Sequence, residues 1–233
     1  MSRLLFVLLL LPMVGNAANL EKLKTKLQKS LPTKIAQVKK TPVAGVIEVA
    51  FEDGDSVYMS EDGNYILKGD IIDRRTSTNI TKMSILGAIS DKDTIVFSKK
   101  NPKHTLTIFT DVDCGYCRKL HTEVPELMDS GVKVRYMLFP RAGPGSVTAK
   151  TMESVWCATD QQQAMTDAKT GKDVPSKACK NPIESHMNVA IKLGLEGTPF
   201  IVTGTGAVIP GYRPAKDLVS MLEADPSKAM LGR

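Results

Sequence analysis

Apolar residues recur at helical spacing at Leu20, Leu23, Leu27 and Leu31, and Pro32 ends the pattern, which predicts a short amphipathic helix. The period then changes. Val43, Val46, Val49 and Phe51 form a β-rich run, followed by Val57 to Met59 and Tyr65 to Leu67, with Asp53-Gly54 and Asp62-Gly63 punctuating them as hairpin turns. One helix and three or four strands make a unit of about 60 residues, thin for a self-sufficient core. Such a unit packs on the rest of the chain or pairs with a copy of itself, and exposed strand edges favour the second.

From Thr78 to Ser90 the stripe Ile80, Met83, Ile85, Leu86 and Ile89 predicts a helix, read equally well as a stiff connector or a core helix. A strand from Thr105 to Thr110, a short turn, a helical run to Met128 and a second strand from Val132 to Phe139 predict a β-α-β unit. The stretch from Val147 to about Leu193 lacks strand alternation and reads as largely helical. Thr198-Pro199 leads into the apolar run Phe200 to Val202, a turn at Gly204 to Gly206 leads into Ala207 to Ile209, and a last helix runs from Pro214 to about Ala224. There is no internal repeat. The partition expected is a signal over 1–17, an N-terminal dimerisation domain over 18–78, a linker helix over 79–91 and a catalytic domain over 92–233.

The first of these segments changes the compartment. Arg3 precedes an apolar run from Leu4 to Val14, and the small residues Gly15 and Ala17 offer a cleavage site, the pattern of a removable export signal. The run is shorter than the roughly 20 apolar residues that cross a bilayer, so no stable membrane insertion is expected. Removing 1–17 takes away Arg3 alone and lowers the formal charge from +6 to +5. Lys22, Lys24, Lys26 and Lys29 read as a solvated helix face, and without aromatic residues interleaved along a basic stripe no nucleic-acid partner is expected.

An exported chain permits disulfides, and the four cysteines separate into two jobs. Cys157 and Cys179 enclose a long loop and look structural, whereas Cys114 and Cys117 have the spacing of a redox pair at a strand-to-helix junction. Only a thiolate attacks a disulfide, and the unpaired N–H groups and dipole at a helix N-terminus stabilise one, so Cys114 is the expected nucleophile and the more buried Cys117 the resolving thiol. A zinc site needs two further ligands and no second CxxC or close Cys/His pair supplies them, so neither metal nor cofactor is expected. Asp111 and Asp113 suit the helix N-terminus, although Asp113 also opposes a second negative charge beside Cys114. His121 receives no catalytic role. Pro199 precedes an apolar strand, where it cannot join a ladder.

The export signal, the strand-rich N-terminal unit, the connecting helix, the string Phe109 to Cys117 with its Cys114-Gly115-Tyr116-Cys117 core, Trp156-Cys157 and Gly197-Thr198-Pro199 together resemble the DsbC/DsbG family of bacterial periplasmic thiol-disulfide oxidoreductases. The resemblance covers essentially the whole mature chain. It implies an α+β to α/β architecture: a thioredoxin-like domain with a helical insertion, preceded by a small cystatin-like dimerisation domain. It further implies a V-shaped homodimer with an apolar cleft for misfolded, disulfide-containing exported proteins, and a DsbD-like inner-membrane reductase as second partner. Cys114 and Cys117 match the family's active pair, Cys157 and Cys179 its structural disulfide, and Pro199 its cis-proline. Thr198, Pro199, Gly115 and Tyr116 are the substrate-contacting positions it implies. Two positions depart from expectation: Asp113 stands where an uncharged residue is expected, and Ile108 where thioredoxins proper keep a buried carboxylate.

The function expected is periplasmic disulfide isomerisation with associated chaperone activity. The alternatives are a DsbG-like thiol reductase, against which the Gly-Tyr dipeptide argues, and a redox-independent dimeric holdase.

Overall fold

The computed structural model describes residues 15–224. The predicted export signal therefore lies outside the described residues, apart from its last three, which begin the first helix. The chain divides at Gly69/Asp70 into two compact units.

The first unit carries α1 (Gly15–Gln28) and four strands, β1 (Ile35–Lys40), β2 (Val46–Phe51), β3 (Ser56–Ser60) and β4 (Ile66–Leu67), in one antiparallel sheet of order β1-β2-β3-β4. Alternation along β2 turns Ile47 and Val49 inward, where they meet Ile35, Val38, Met59 and Leu27 of α1. Strand β1 escapes the sequence pattern because a register irregularity between Ile35 and Gln37 puts Ile35 and Val38, three apart, on the same buried face. The turn after β3 needs Gly63: its φ is +79°, and a Cβ there would lie 2.7 Å from Cδ2 of Leu27. On β4, Ile66 and Leu67 remain exposed.

The second unit begins with a two-stranded ribbon, β5 (Ile72–Asp73) and β6 (Thr78–Asn79), followed by α2 (Ile80–Gly87) and β7 (Ile95–Phe97). Next come β8 (His104–Thr110), α3 (Gly115–Thr122), α4 (Val124–Asp129) and β9 (Val132–Leu138). Three helices, α5 (Val147–Trp156), α6 (Gln161–Thr170) and α7 (Ile183–Lys192), precede β10 (Phe200–Thr203), β11 (Val208–Pro210) and α8 (Ala215–Glu223). The five-stranded sheet has the order β11-β10-β8-β9-β7. Strands β8 and β9 are parallel and the other pairs antiparallel.

Strand β8 is central and buried from Leu106 to Thr110, as a strand covered on both faces must be. Its period of two sorts the core. Leu106 and Ile108 pack with Leu120, Leu127, Met165 and Leu218, whereas Phe109 packs on the opposite face with Leu86 of α2, Ala190 and Leu193. Helix α2 is thus held in this unit by Leu86. Its N-cap Asn79 accepts from the Lys82 amide at 2.9 Å. Gly206, at φ +77°, allows the close approach of Asn79, since a Cβ there would lie 2.5 Å from the Asn79 carbonyl oxygen. The helical run predicted to Met128 breaks at Glu123, because Pro125 has no N–H for the preceding turn and instead sits in the first turn of α4. Cys157 and Cys179 are joined by a disulfide, with Cα atoms 5.9 Å apart.

Candidate active site

Two chain reversals bring the site together. Strand β8 ends at Thr110, Asp111 to Asp113 form the turn, and Cys114 is the N-cap of α3. Antiparallel pairing sets Phe200 of β10 opposite Phe109 of β8, so β10 begins where β8 ends. The residues preceding β10, Thr198 and the cis-bonded Pro199, therefore meet Cys114 from 84 positions away: Cys114 Sγ donates to the Thr198 carbonyl at 3.3 Å.

Both cysteines of the pair are free thiols. Their environments push them apart. Burial raises the Cys114 thiol, but hydrogen bonds from Thr198 and from the backbone and thiol of Cys117, with the positive charge of Arg141, outweigh it and leave Cys114 below its usual value. The Thr198 hydroxyl is buried without a partner of its own, a donor left over for an ionised sulfur. Cys117, one per cent exposed, goes the other way, with burial outweighing Lys169, the Asp111 amide and the Thr110 hydroxyl. The result is a pair in which Cys114, itself buried, ionises more readily than a free thiol and Cys117 less readily.

The two aspartates before the helix serve other groups. Asp111, two per cent exposed, accepts from the Asp113 amide at 2.7 Å and from the backbone and Nε of Arg141, each at 3.0 Å. Asp113 turns its carboxylate to Arg118 Nη2 at 3.2 Å and to the Thr148 hydroxyl at 2.6 Å. The hydrogen bonds of these two carboxylates go to the Asp113 amide, Arg141, Arg118 and Thr148 and not to the first amides of α3. His121 is packed, with Nδ1 3.1 Å from the Tyr136 hydroxyl and Nε2 3.0 Å from Thr166 Oγ1, and burial with the Lys169 charge lowers it to about 4.

Gly115 and Tyr116 lie exposed on the first turn of α3, and the Tyr116 ring stacks on Tyr212 at a centroid distance of 6.1 Å. Among the described residues no group of three or more His, Cys, Asp or Glu side chains is placed to hold a metal. Two neighbours of the pair, Arg141 and Lys169, are not singled out by the sequence pattern. Arg141 carries no local signal. Lys169 carries one: it extends the buried stripe Ala164, Met165 and Ala168 of α6, an apolar-face position held by a charge.

A lowered thiol pKa means that the thiolate is present above the midpoint and lost as pH falls through it. Iodoacetamide alkylation of Cys114 is accordingly expected to show a midpoint below the roughly 8.5 of a free cysteine, with exchange activity falling on the acid side of the same midpoint. A midpoint at or above the free-thiol value would remove the chemical basis of the site.

A family model of the thioredoxin-like domain matches residues 90–225, and one of the disulfide bond isomerase N-terminal domain matches residues 15–82. The chain is 39% identical over 194 residues to the thiol:disulfide interchange protein DsbC of Dickeya dadantii, covering 81% of each chain. It is 38% identical over 227 residues to DsbC of Haemophilus influenzae, covering 94% of this chain and 97% of that relative. Among solved structures, the crystal structure of a disulfide interchange protein from Neisseria gonorrhoeae matches with a TM-score of 0.51 at 28% identity, over 57% of this chain and 97% of that one. Among the described residues no helix is long and apolar enough to cross a membrane. With both units matched and most of each relative's length covered, the chain belongs to the DsbC family of thiol:disulfide interchange proteins.

Proposed function

We propose that the protein is a periplasmic disulfide isomerase in which Cys114 opens wrong disulfides of exported proteins and Cys117 releases clients that stall. The observation that carries this reading is the pair of free thiols at the start of α3, with Cys114 as its N-cap held against the Thr198 carbonyl before the cis-bonded Pro199. The opposite directions of their acidity agree with it. The Cys114 thiolate attacks one sulfur of a client disulfide. A Cys114–client bond forms, the client bond breaks, and its electron pair leaves on the second client sulfur as thiolate. When that or another client thiolate attacks the mixed disulfide, Cys114 returns as thiolate and no net electrons move. If none does, Cys117 attacks Cys114, the client leaves reduced, and the Cys114–Cys117 disulfide needs a donor, for which a DsbD-like membrane reductase is the proposed partner.

Clients are proposed to lie along the Thr198–Pro199 segment and the exposed surface of Gly115 and Tyr116, with chaperone activity arising from the same contacts. The export pattern at 1–17 supports the periplasm. A homodimer through the N-terminal domain is supported by the small core of the first unit and by Ile66 and Leu67, exposed on β4 at the edge of its sheet.

The test is the recovery of activity by a scrambled multi-disulfide protein in glutathione buffer, where the protein should accelerate recovery well beyond buffer alone; no acceleration would overturn the isomerase. Light scattering on residues 18–233 should give twice the chain mass, and Leu67→Lys should shift it toward one. A wild-type monomer would remove the dimer. If a variant lacking both Cys114 and Cys117 matched the wild type in client recovery, the redox-independent holdase would take the isomerase's place.

A further inference from the structure

We propose that Lys169 is a positioning residue for the resolving step: a buried ammonium on α6 that acts through the Thr110 hydroxyl to stabilise the thiolate of Cys117. The inference rests on the Cys114/Cys117 chemistry proposed above and assigns a role to a group which that chemistry does not use.

Lys169 is four per cent exposed. Its Nζ donates to Thr110 Oγ1 at 2.7 Å and to the Asp111 carbonyl at 3.3 Å, and lies 5.6 Å from the centre of the Tyr136 ring. Among the described residues, no acidic side chain is hydrogen-bonded to it. Burying an ammonium without a hydrogen-bonded anion is costly, and neutral oxygens, a ring face and the nearby Asp111 carboxylate offset only part of that cost. Thr110 ties the ammonium to the strand end beside the pair. Its hydroxyl oxygen accepts from Lys169, which leaves its own hydrogen free to donate, and Cys117 is the thiol whose ionisation Thr110 and Lys169 both favour. The polarity of the Lys169–Thr110 bond, at the end of the strand that leads into the pair, favours a negative sulfur at Cys117. On β8 below the pair, the residue facing the core is Ile108, fully buried, so no carboxylate on that strand opposes this.

The groups around Lys169 are Cys114, Cys117, Arg118 and His121 of α3, Asp111 after β8, and Tyr136 of β9. Burial lowers Lys169 to about 8, and the two cysteines and Asp111 pull against that lowering. Lys169 and Cys117 are thus coupled, each favouring the charged form of the other. In the step itself the Cys117 thiolate attacks Sγ of Cys114 in the mixed disulfide. The Cys114–Cys117 bond forms, the Cys114–client bond breaks, and the electron pair and negative charge leave on the client sulfur, which takes a proton from water. Lys169 keeps its proton but loses its anion, so its affinity for that proton falls on oxidation.

Reaction with an aromatic disulfide that releases a coloured thiolate separates the two cysteines: the first equivalent reports attack by Cys114, the second resolution by Cys117. In Lys169→Met, unbranched and of similar reach, the second phase is expected to have its pH midpoint raised by at least about one unit. Each unit removes tenfold in thiolate and returns about threefold in nucleophilicity, so the phase slows about threefold per unit near neutrality and crosses above the wild type at high pH. A merely structural lysine produces no such crossing. A folded Lys169→Met whose second phase superimposes on the wild type, or is slowed equally at every pH, would overturn the proposal. Should that variant not fold, NMR titration of the wild-type lysine side chain decides: a lower Lys169 midpoint in the oxidised than in the reduced protein is expected, and equal midpoints refute it. A wild type that releases a single equivalent would instead refute the Cys114/Cys117 reading itself.

Discussion

Cys114→Ser is expected to reduce the recovery of a scrambled multi-disulfide protein to the rate of buffer alone while leaving the fold intact. An oxygen cannot form the sulfur–sulfur bond on which exchange depends, and a hydroxyl is not ionised at neutral pH whatever the helix N-terminus contributes. The fold should survive because Cys114 is an N-cap, a position serine fills well, and its side-chain bond to the Thr198 carbonyl can be made by a hydroxyl. Cys117→Ser separates the two roles. The first attack continues, resolution stops, and a mixed disulfide with the client accumulates on Cys114, visible as a covalent adduct by mass spectrometry. Recovery by Cys114→Ser at the wild-type rate would show that the nucleophile is elsewhere.

The second large effect is on stability. Cys157 is the C-cap of α5, and Cys179 lies in residues 172–182, which carry no helix or strand before α7 begins. This segment is otherwise tied to α5 by a few polar contacts, among them Ser154 Oγ with the Lys177 carbonyl at 3.3 Å and Asn181 Nδ2 with Glu153 at 3.0 Å. Opening the disulfide frees the loop in the unfolded chain, which costs the native state about 3 kcal/mol. For a unit of this size that corresponds to a fall in Tm of about 6–12 °C, measured by calorimetry on Cys157→Ala/Cys179→Ala. A change of less than about 2 °C would mean that the polar contacts alone hold the segment and that the bridge closes a loop already ordered.

Much of the second unit is legible in the chain because its signals are local. The run Thr105 to Thr110 is apolar enough to be central, the glycine and the small turn after it precede a helical period, and a β-α-β reading follows without any distant contact. Two short strands, one in each unit, show where such reading fails. Strand β1 hides because its bulge breaks the alternation, and β7 hides because three residues, Ile95 to Phe97, are too few to display a period. The stretch from Thr78 to Ser90 reads as connector or core helix with equal ease; Leu86 decides that it packs, since the face it meets is built by residues more than 20 positions away.

By itself the sequence determined the sulfur chemistry of this protein and its setting: two cysteines one turn apart at the start of a helix, an export pattern, and a family whose members handle disulfides. Only the tertiary structure decided the charges around the sulfurs. Thr198, Arg141 and Lys169 arrive from the segment before β10, the loop after β9 and α6, and Asp113, whose influence is ambiguous in the chain, spends its carboxylate on Arg118 and Thr148. The physical reason is that a motif is written in neighbouring residues, whereas an electrostatic environment depends on distance through space and on burial, neither of which exists until the sheet is paired and the helices are packed.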